Sequence, residues 1–304
     1  MSRRRPPRAV LLAAASLLAL ISAPGQPLAA PGDDRVLRVC EDPNNLPFSN
    51  RAGQGFENKI VELLAAELGW KLEYTWFPQR MGFIRNTLRG REPDSDRFKC
   101  DLVPGVPVGF ELAATTKPYY RSTYALAYLK GKGLDGVKTP EDLVKLEPAK
   151  LKSLKLGVIG QTPPVDWVLK HGLFNQAVPY QIQSGDPEHY PGEIVEKDLV
   201  AGAIDVAFVW GPIAGYFAKR ATKPEVMVVP FAPDPAIQFD FRIAMGVRFG
   251  EREWHDRVER LIEANRVRIQ AILAAYGVPQ LDEQGGLMQI PPDPSLRGGA
   301  KAGK

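Results

Sequence analysis

The pattern of apolar and polar residues predicts a strand, a helix and a second strand where the folded chain begins. Val36 to Cys40 form a short apolar run, and a loop rich in Pro and Asn follows it. From Glu57 to Leu68 apolar residues recur at helical spacing, and Gly69 stands where a helix C-cap favours positive φ. Leu72 to Phe77 then alternates as a strand does.

The pattern continues with a second helix and a third strand. A helix is predicted from about Met81 to Leu88, and Asp101 to Val103 forms a short strand that Gly105 to Pro107 breaks. This β-α-β-α-β order predicts a parallel sheet covered by helices. Ligands of such sheets bind beyond the carboxyl ends of the strands, where residues 44–48 and 105–109 lie.

A second α/β cycle follows the Gly-rich link at residues 131–133. Thr162 and Pro163 are an N-cap and first-turn pair for a helix that ends near His171, and residues 254–275 form one long helix or a pair. The remaining apolar runs predict strands at Thr123 to Leu129, Leu154 to Ile159, Asp205 to Val209, Val226 to Val229 and Ile243 to Val247.

The two ends of the chain differ from the rest in composition. Four arginines precede an apolar run from Ala9 to Ile21, and small residues follow, as in a secretory signal peptide, which we assign to residues 1–30. The run is shorter than the ~18 apolar residues of a membrane span, and no later run is longer. Residues 281–304 form a C-terminal tail, which is Pro, Gly and Lys rich from Pro291 and is expected to be largely disordered.

Charge gives no argument for a polyanionic partner. The whole chain has a net charge of +4, but removal of residues 1–30 takes away four arginines and no acidic residue. The exported chain is therefore close to neutral, and we expect neither nucleic-acid binding nor attraction to an anionic membrane.

Cys40 and Cys100 are the two cysteines of the chain. In an oxidising compartment they predict a disulfide, with two buried thiols as the alternative. They stand beside the ends of the first and third strands, which are neighbours in a doubly wound lobe of order 2-1-3. Neighbouring strands lie ~4.8 Å apart, which suits a disulfide.

Six strings along the chain, in order, resemble the type II periplasmic solute-binding proteins. The resemblance implies two α/β lobes, each with a doubly wound and mainly parallel sheet, joined by two hinge crossovers. It implies a discontinuous lobe 1 at residues 31–126 and 238–280, with lobe 2 at residues 127–237. The strings are Asn45 to Phe48, Gly55 to Ile60, Thr116 to Tyr120, Leu156 to Thr162, Ala203 to Ala207 and Ile243 to Arg248.

Three strings are narrower than that superfamily, namely Cys40 to Asn50, Pro78 to Leu88 and Pro118 to Tyr124. They resemble the binding-protein-like component found with quinoprotein (pyrroloquinoline quinone, PQQ) methanol dehydrogenases in methylotrophic bacteria, whose members often carry ABC-transporter solute-binding labels. The resemblance implies a monomeric periplasmic protein that serves the dehydrogenase in its maturation or activation.

The charged clamps of amino-acid binders of this fold are missing. Those proteins hold the ligand carboxylate with an Arg that aligns with Leu112, in a segment whose Thr aligns near Pro107. An Asp that holds the amino group aligns about with Trp210. Leu does not supply the charge-assisted contact that a carboxylate needs, so an ordinary amino-acid ligand is disfavoured.

Apolar, aromatic and guanidinium groups replace the clamps, which suits a small apolar or aromatic ligand or a peptide segment. Core positions are the alternative for Phe83 and Tyr120, and solvated positions are the alternative for Arg80 and Arg85. The start of the helix at Thr162 is a candidate for holding an anion or a carbonyl oxygen. The candidate cleft residues are Asn45, Phe48, Arg80, Phe83, Arg85, Pro107, Tyr119, Tyr120, Arg121, Gln161, Thr162 and Trp210.

Three classes of function remain: an accessory protein of the dehydrogenase, a receptor of an ABC importer for a small non-amino-acid ligand, and a dehydratase-like enzyme. The enzyme needs a carboxylate pair in the cleft, and only scattered candidates such as Glu57 and Asp166 exist. The three histidines have no metal-ligand spacing. We therefore predict that the protein is not an enzyme and carries no cofactor or metal.

Overall fold

The computed structural model describes residues 35–182, 186, 188–221 and 223–291. The predicted signal peptide and the tail from residue 292 lie outside the described residues.

The strands are β1 Val36–Glu41, β2 Asn44–Asn45, β3 Ser49–Asn50, β4 Lys71–Trp76, β5 Val103–Pro107, β6 Ala114–Thr115, β7 Tyr120–Leu129, β8 Leu156–Ile159, β9 Ala177–Tyr180, β10 Val206–Trp210, β11 Val226–Pro230 and β12 Asp240–Val247. The helices are α1 Phe56–Leu68, α2 Phe83–Asn86, α3 Pro140–Val144, α4 Pro148–Ser153, α5 Pro163–Lys170, α6 Gly211–Arg220, α7 Arg252–Ala264 and α8 Arg266–Ala275, with a 3₁₀ turn at Phe174–Gln176 and a π-helix at Ile194–Leu199.

The first lobe is built on β1, which lies between β4 and the chain that enters β5. β1 pairs in parallel with β4, and a parallel bridge joins Val39 to Leu102 on its other side. This confirms the predicted 2-1-3 order. One face of β1 and the inner faces of α1, α7 and α8 form a common core, and α1 ends at Gly69 with a φ of 65°, as its position predicts.

Cys40 and Cys100 form the predicted disulfide across these neighbouring strands, with their Cα atoms 5.6 Å apart. The Cys40 amide also donates to the Leu102 carbonyl oxygen at 2.8 Å. The bond thus ties the end of β1 to the chain that leads into β5.

The second lobe has parallel strands β9, β8 and β10, with β7 and β11 added antiparallel. Its sheet is buried on both faces. One face packs against α5 through Trp167, and the other packs against α6 and the π-helix through Ile213 and Ile194. A sheet with both faces covered explains the nearly continuous apolar runs of β8 and β10.

Two long strands connect the lobes. β7 pairs antiparallel with β12 from Tyr120 to Thr123 and then with β10 from Tyr124 onward. The chain therefore crosses twice between the lobes, and the predicted two-lobed α/β fold is confirmed. The lobe limits at 126/127 and 237/238 remain a proposal.

Two local predictions are wrong. Gly82 has a φ of 87°, so the helix expected from Met81 is limited to α2. The third strand is not broken at Gly105 to Pro107 but runs through them as β5, with Gly105 at a φ of 72° and a register irregularity in the facing strand β12.

Residues 281–291, which the sequence assigns to the tail, are folded against the hinge. The Leu281 amide donates to the Arg121 carbonyl oxygen at 2.9 Å, and the Met288 amide donates to the Gln280 carbonyl oxygen at 2.8 Å. Burial of Leu281 and a turn at Asp282 hold this segment. The expectation of disorder therefore remains a prediction only from residue 292.

Candidate functional site

The cleft lies where the carboxyl ends of β1 and β4 in lobe 1 face those of β8 and β9 in lobe 2. It contains a cavity of about 390 Å³. Lobe 1 contributes Asp42, Asn44, Asn45, Pro78, Gln79 and Arg80 to its wall, and lobe 2 contributes Ile159, Pro179, Tyr180, Gln181, Ile182, Asp186, His189, Tyr190, Pro191, Glu193, Ile194 and Asp198. Of the two loops that the strand order places at the site edge, the first contributes Asn44 and Asn45 to this cavity, whereas residues 105–109 do not line it.

The lobe 1 wall is held by backbone and side-chain hydrogen bonds. Asp42 accepts from the amides of Asn44 at 2.8 Å and Gln79 at 2.5 Å, so it ties the loop after β1 to the segment after β4. Asn45 donates to the Gln79 side chain at 3.1 Å. The Asn44 side chain reaches across the mouth and donates to the Glu188 carbonyl oxygen at 3.1 Å. The lobes therefore contact each other beside the cavity.

The lobe 2 wall is polar and acidic. The Tyr180 hydroxyl donates to Asp198 at 2.7 Å, and His189 Nδ1 lies 2.7 Å from Glu193 Oε2. The hydrogen bond and charge of Glu193 raise the pKa of His189. The open cavity is thus more polar than the apolar pocket that the sequence predicts.

The aromatic residues predicted for the cleft lie mostly in closed packing. Tyr119 and Tyr120 are 2% and 6% exposed in the core of lobe 1, and Phe83 is buried in a cluster around the disulfide. Phe48 packs edge-on to Phe56 with ring centroids 5.3 Å apart. Phe83 and Tyr120 therefore lie in the core, which is the alternative position that the sequence left open for them.

Trp210 ends β10 and stands at the hinge, partly buried between the cores of both lobes. Its ring meets Tyr124 and Phe241 edge-on, with centroids 5.2 Å and 5.9 Å apart. Leu112, the other departure from amino-acid binders, is 46% exposed. Neither position offers a charge to a solute.

The predicted arginines are distributed over different surfaces. Arg80 lines the cavity, whereas Arg85 is exposed on α2. Arg121 forms an ion pair with Asp240 at 2.7 Å and, with Pro107, lines a second cavity of about 340 Å³ on the hinge strands. The structure therefore brings Asn45 and Arg80 together in one cavity and Pro107 and Arg121 together in another.

The start of α5 offers little to an anion. Thr162 is buried, and its hydroxyl donates to the Ile159 carbonyl oxygen at 2.6 Å, while Gln161 is exposed with a φ of 61°. Prolines at 163 and 164 remove two of the amide donors that a helix end normally provides, and Asp166 adds a negative charge in the first turn.

Sequence reasoning missed a buried polar cluster behind the loop after β1. Glu41 and Glu57 are 2% and 5% exposed, and Asn58 donates a hydrogen bond to Glu41. Burial, with a further contribution from the charge of Asp42, raises the pKa of Glu57 to about 8, and burial likewise raises the pKa of Glu41. Among the described residues Glu57 Oε1 and Tyr119 Oη have no hydrogen-bond partner.

Glu57 is the second residue of the amphipathic helix α1, and an acidic residue in the first turn of a helix is usually exposed to solvent. The sequence therefore gives no sign that Glu57 is buried. Only its proximity to Gly105, whose missing side chain leaves room for the carboxyl group, shows otherwise. Asp166 is exposed on lobe 2, so the carboxylates weighed for a dehydratase are not a pair. In the described part of the chain no three His, Cys, Asp or Glu side chains form a metal-binding group, and no helix is long and apolar enough to cross a membrane.

No model of a known protein family matches the sequence. "Protein MoxJ" of Paracoccus denitrificans is 28% identical over 287 residues, which cover 90% of this chain and 97% of MoxJ. The crystal structure of periplasmic binding protein XoxJ from Methylobacterium extorquens AM1 is 37% identical with a TM-score of 0.64, and covers 81% of this chain and 100% of XoxJ. That of MxaJ from Methlophaga aminisulfidivorans MPT is 24% identical with a TM-score of 0.66 and the same coverage. The chain therefore belongs to the family of periplasmic binding proteins that contains XoxJ and MoxJ.

Proposed function

We propose that this chain is a periplasmic, monomeric accessory protein of a PQQ-dependent methanol dehydrogenase, and that it aids the maturation or activation of that enzyme. Its membership of the XoxJ and MoxJ family supports the proposal, together with the narrow strings at residues 40–50, 78–88 and 118–124. The predicted signal peptide supports the periplasmic location.

The observation that carries the proposal is the lack of a charged clamp for a solute at Leu112 and Trp210. Leu112 is half exposed and apolar, and Trp210 packs against Tyr124 and Phe241. A solute carboxylate or ammonium buried at these positions would be left unpaired, which costs several kcal/mol. A surface that recognises a partner protein through aromatic and arginine side chains has no such requirement.

The protein does not act as an enzyme. Glu57 is enclosed in lobe 1 and Asp166 is exposed on lobe 2, so these two carboxylates do not form a pair that could act on one bound substrate. Several polar groups that line the cavity are hydrogen-bonded to neighbours, as in the Tyr180 to Asp198 hydrogen bond. The chain needs no cofactor or metal for the proposed role.

The partner docks in the cleft, against Trp210 at the hinge and Arg80 in the cavity wall. Trp210→Ala should weaken co-purification of the dehydrogenase by roughly 30-fold, because truncation of an aromatic anchor costs about 2 kcal/mol. Tagged mature protein and the purified dehydrogenase provide the measurement, with circular dichroism to check the fold. Val267→Ala, at an exposed site on α8, is the control and should change nothing.

Trp210→Phe distinguishes a direct role of Trp210 in docking from a role in packing the hinge. It keeps a ring against Tyr124 and Phe241 but loses the indole N–H. A folded Trp210→Ala protein that still binds and activates the dehydrogenase like the wild type would show that the Trp210 cleft is not the docking site.

The second candidate is a receptor of an ABC importer for a small non-amino-acid ligand. The cavity of about 390 Å³ between the lobes favours it, since that volume suits a small solute. Saturable binding of one small solute together with a permease partner would support this function and would contradict the accessory role.

A further inference from the structure

The lobes touch each other backbone to backbone. Helix α6 of lobe 2 lies across the segment that follows α8 of lobe 1. A Cβ atom added to Gly215 would stand 1.9 Å from the Gly277 carbonyl oxygen, and one added to Gly277 would stand 2.6 Å from the Gly215 oxygen. Since real Cβ contacts are longer than 3.0 Å, only two glycines permit this approach.

The contact extends along α6 in both directions. At its start, a Cβ on Gly211 would stand 2.3 Å from the Thr123 carbonyl oxygen and 3.1 Å from Pro279 Cγ. Near its end, Lys219 Nζ donates to the Ala275 carbonyl oxygen at 2.7 Å, at the last turn of α8. From Gly211 to Lys219 the helix rises about 12 Å, so the interface is not a single pivot point.

Aromatic rings pack between α6 of lobe 2 and α1 of lobe 1 beside this contact. Tyr276 stacks on Tyr216 of α6, with ring centroids 5.8 Å apart and planes 13° from parallel, and it meets Phe56 of α1 edge-on at 6.0 Å. Leu46, Phe48 and Tyr276 of lobe 1 all pack against the apolar cluster of lobe 2 that contains Tyr216. The Tyr276 hydroxyl donates to the Gln54 carbonyl oxygen at 2.7 Å, which fixes the ring.

The segment after α8 is also fastened to the hinge. Ser122 of β7 donates its hydroxyl to the Pro279 carbonyl oxygen at 2.6 Å. Arg121 Nη1 donates to the carbonyl oxygens of Asp282 at 3.1 Å and Glu283 at 3.0 Å. The hinge strand is thus bonded along its side to the same chain that α6 packs upon.

We propose that the two lobes form one rigid body and do not open about β7 and β12. Opening would pull α6 off Gly277 and Pro279, separate the ring of Tyr276 from that of Tyr216, and expose the apolar surface of Leu46 and Phe48. Packed interfaces of this kind hold discrete arrangements and do not deform continuously. The inference goes beyond the accessory function and does not depend on it, because it concerns only contacts within the chain.

Rigidity has a consequence for recognition. A hinge-closing receptor signals its ligand by the change from open to closed lobes. This protein presents a single preformed surface instead, so a partner meets the same cleft mouth at every encounter.

The distance between two spin labels tests the proposal on the isolated mature protein. Met81→Cys and Phe174→Cys place one label on each lobe at residues that are 92% and 69% exposed, and Cys40 and Cys100 are not labelled because they form the disulfide. We expect one narrow distance distribution by double electron–electron resonance. A second population at longer distance, or a broad distribution that extends to longer distances, would overturn the proposal.

Gly215→Ala in the labelled protein tests the cause of the rigidity. Its Cβ contact of 1.9 Å with Gly277 must grow to an ordinary 3.4 Å or more, so the label distribution should broaden and shift to longer distance. Gly136→Ala, with no atom within 4 Å of the added Cβ, is the matched control and should leave the distribution unchanged. A folded Gly215→Ala protein with the wild-type distribution would refute the role of this contact, and if the variant does not fold, the wild-type distribution alone decides.

Discussion

At the scale of single residues, the protein combines positions that lack an expected charged side chain with positions that bury a carboxyl group. The sequence resemblance aligns Leu112 and Trp210 with the ionic clamps of amino-acid receptors, whereas the structure places the carboxyl groups of Glu41 and Glu57 inside lobe 1. The first departure can be read from the sequence, because it changes residue type at an aligned site. The second cannot, because burial of Glu57 depends on how closely Gly105 and Tyr119 approach it in space.

Glu57 makes the stability of the protein depend on pH. The pKa of Glu57 is about 8 in the folded protein, against an ordinary value of 4.5 for a Glu in the unfolded chain. Between pH 4.5 and 8 the folded state therefore keeps a proton that the unfolded state loses. The free energy of unfolding should therefore fall as the pH rises from about 4.5 to 8, by up to about 1.4 kcal/mol per pH unit for this one group. Glu41, whose pKa is also raised, adds to the same trend.

Glu57→Gln should remove its share of that slope, because the amide does not ionise. Urea unfolding at pH 5, 6, 7 and 8 measures the slope, and Glu253→Gln, at an exposed site on α7, is the control. An unchanged slope in Glu57→Gln would mean that Glu57 is ionised in the folded protein at neutral pH.

At the scale of elements, the disulfide joins two neighbouring strands of lobe 1 and closes a loop with a sequence separation of 60 residues. Cys40→Ala with Cys100→Ala should lower the free energy of unfolding by roughly 4 kcal/mol in the chain-entropy model. Guanidinium unfolding of the oxidised wild type and the double variant measures the difference. A loss below about 1 kcal/mol would show that lobe 1 does not depend on the bond.

The elements that sequence periodicity predicts well are those with a long apolar pattern and clear ends. Helix α1 with Gly69, α5 with Thr162 and Pro163, and strands β8 and β10 belong to this group. Local backbone geometry explains the wrong predictions. Gly82 has a positive φ, so the helix does not begin at Met81, and β5 continues through Gly105 because the facing strand β12 has a register irregularity there. Neither effect has a periodic signal.

The sequence predicts one set of cleft residues, but the fold places them in two cavities and in the core. The edge at which loops meet follows from strand order, so Asn45 and Arg80 do line the cavity. Whether an aromatic residue faces that cavity or the core depends on tertiary packing, which is why Tyr119 and Tyr120 are core residues despite their place near the hinge. The acidic wall around Glu193 and Asp198 comes from a segment of lobe 2 with little periodic pattern.

At the scale of the whole molecule, a solute-binding fold is combined with contacts that suit a docking protein. The lobes are packed together through α6 and Gly277, and Trp210 stands at the hinge against the cores of both lobes. The fold thus supplies two lobes and a cleft, while the residues between them favour a fixed surface over a closing one.

The most direct test is a calorimetric titration of the mature protein with a purified PQQ-dependent methanol dehydrogenase and, separately, with each amino acid. We predict saturable binding of the dehydrogenase and no binding of any amino acid, because Leu112 and Trp210 carry no charge at the two positions that align with the clamps of amino-acid receptors. A submicromolar dissociation constant for any amino acid, with no heat from the dehydrogenase, would contradict the account.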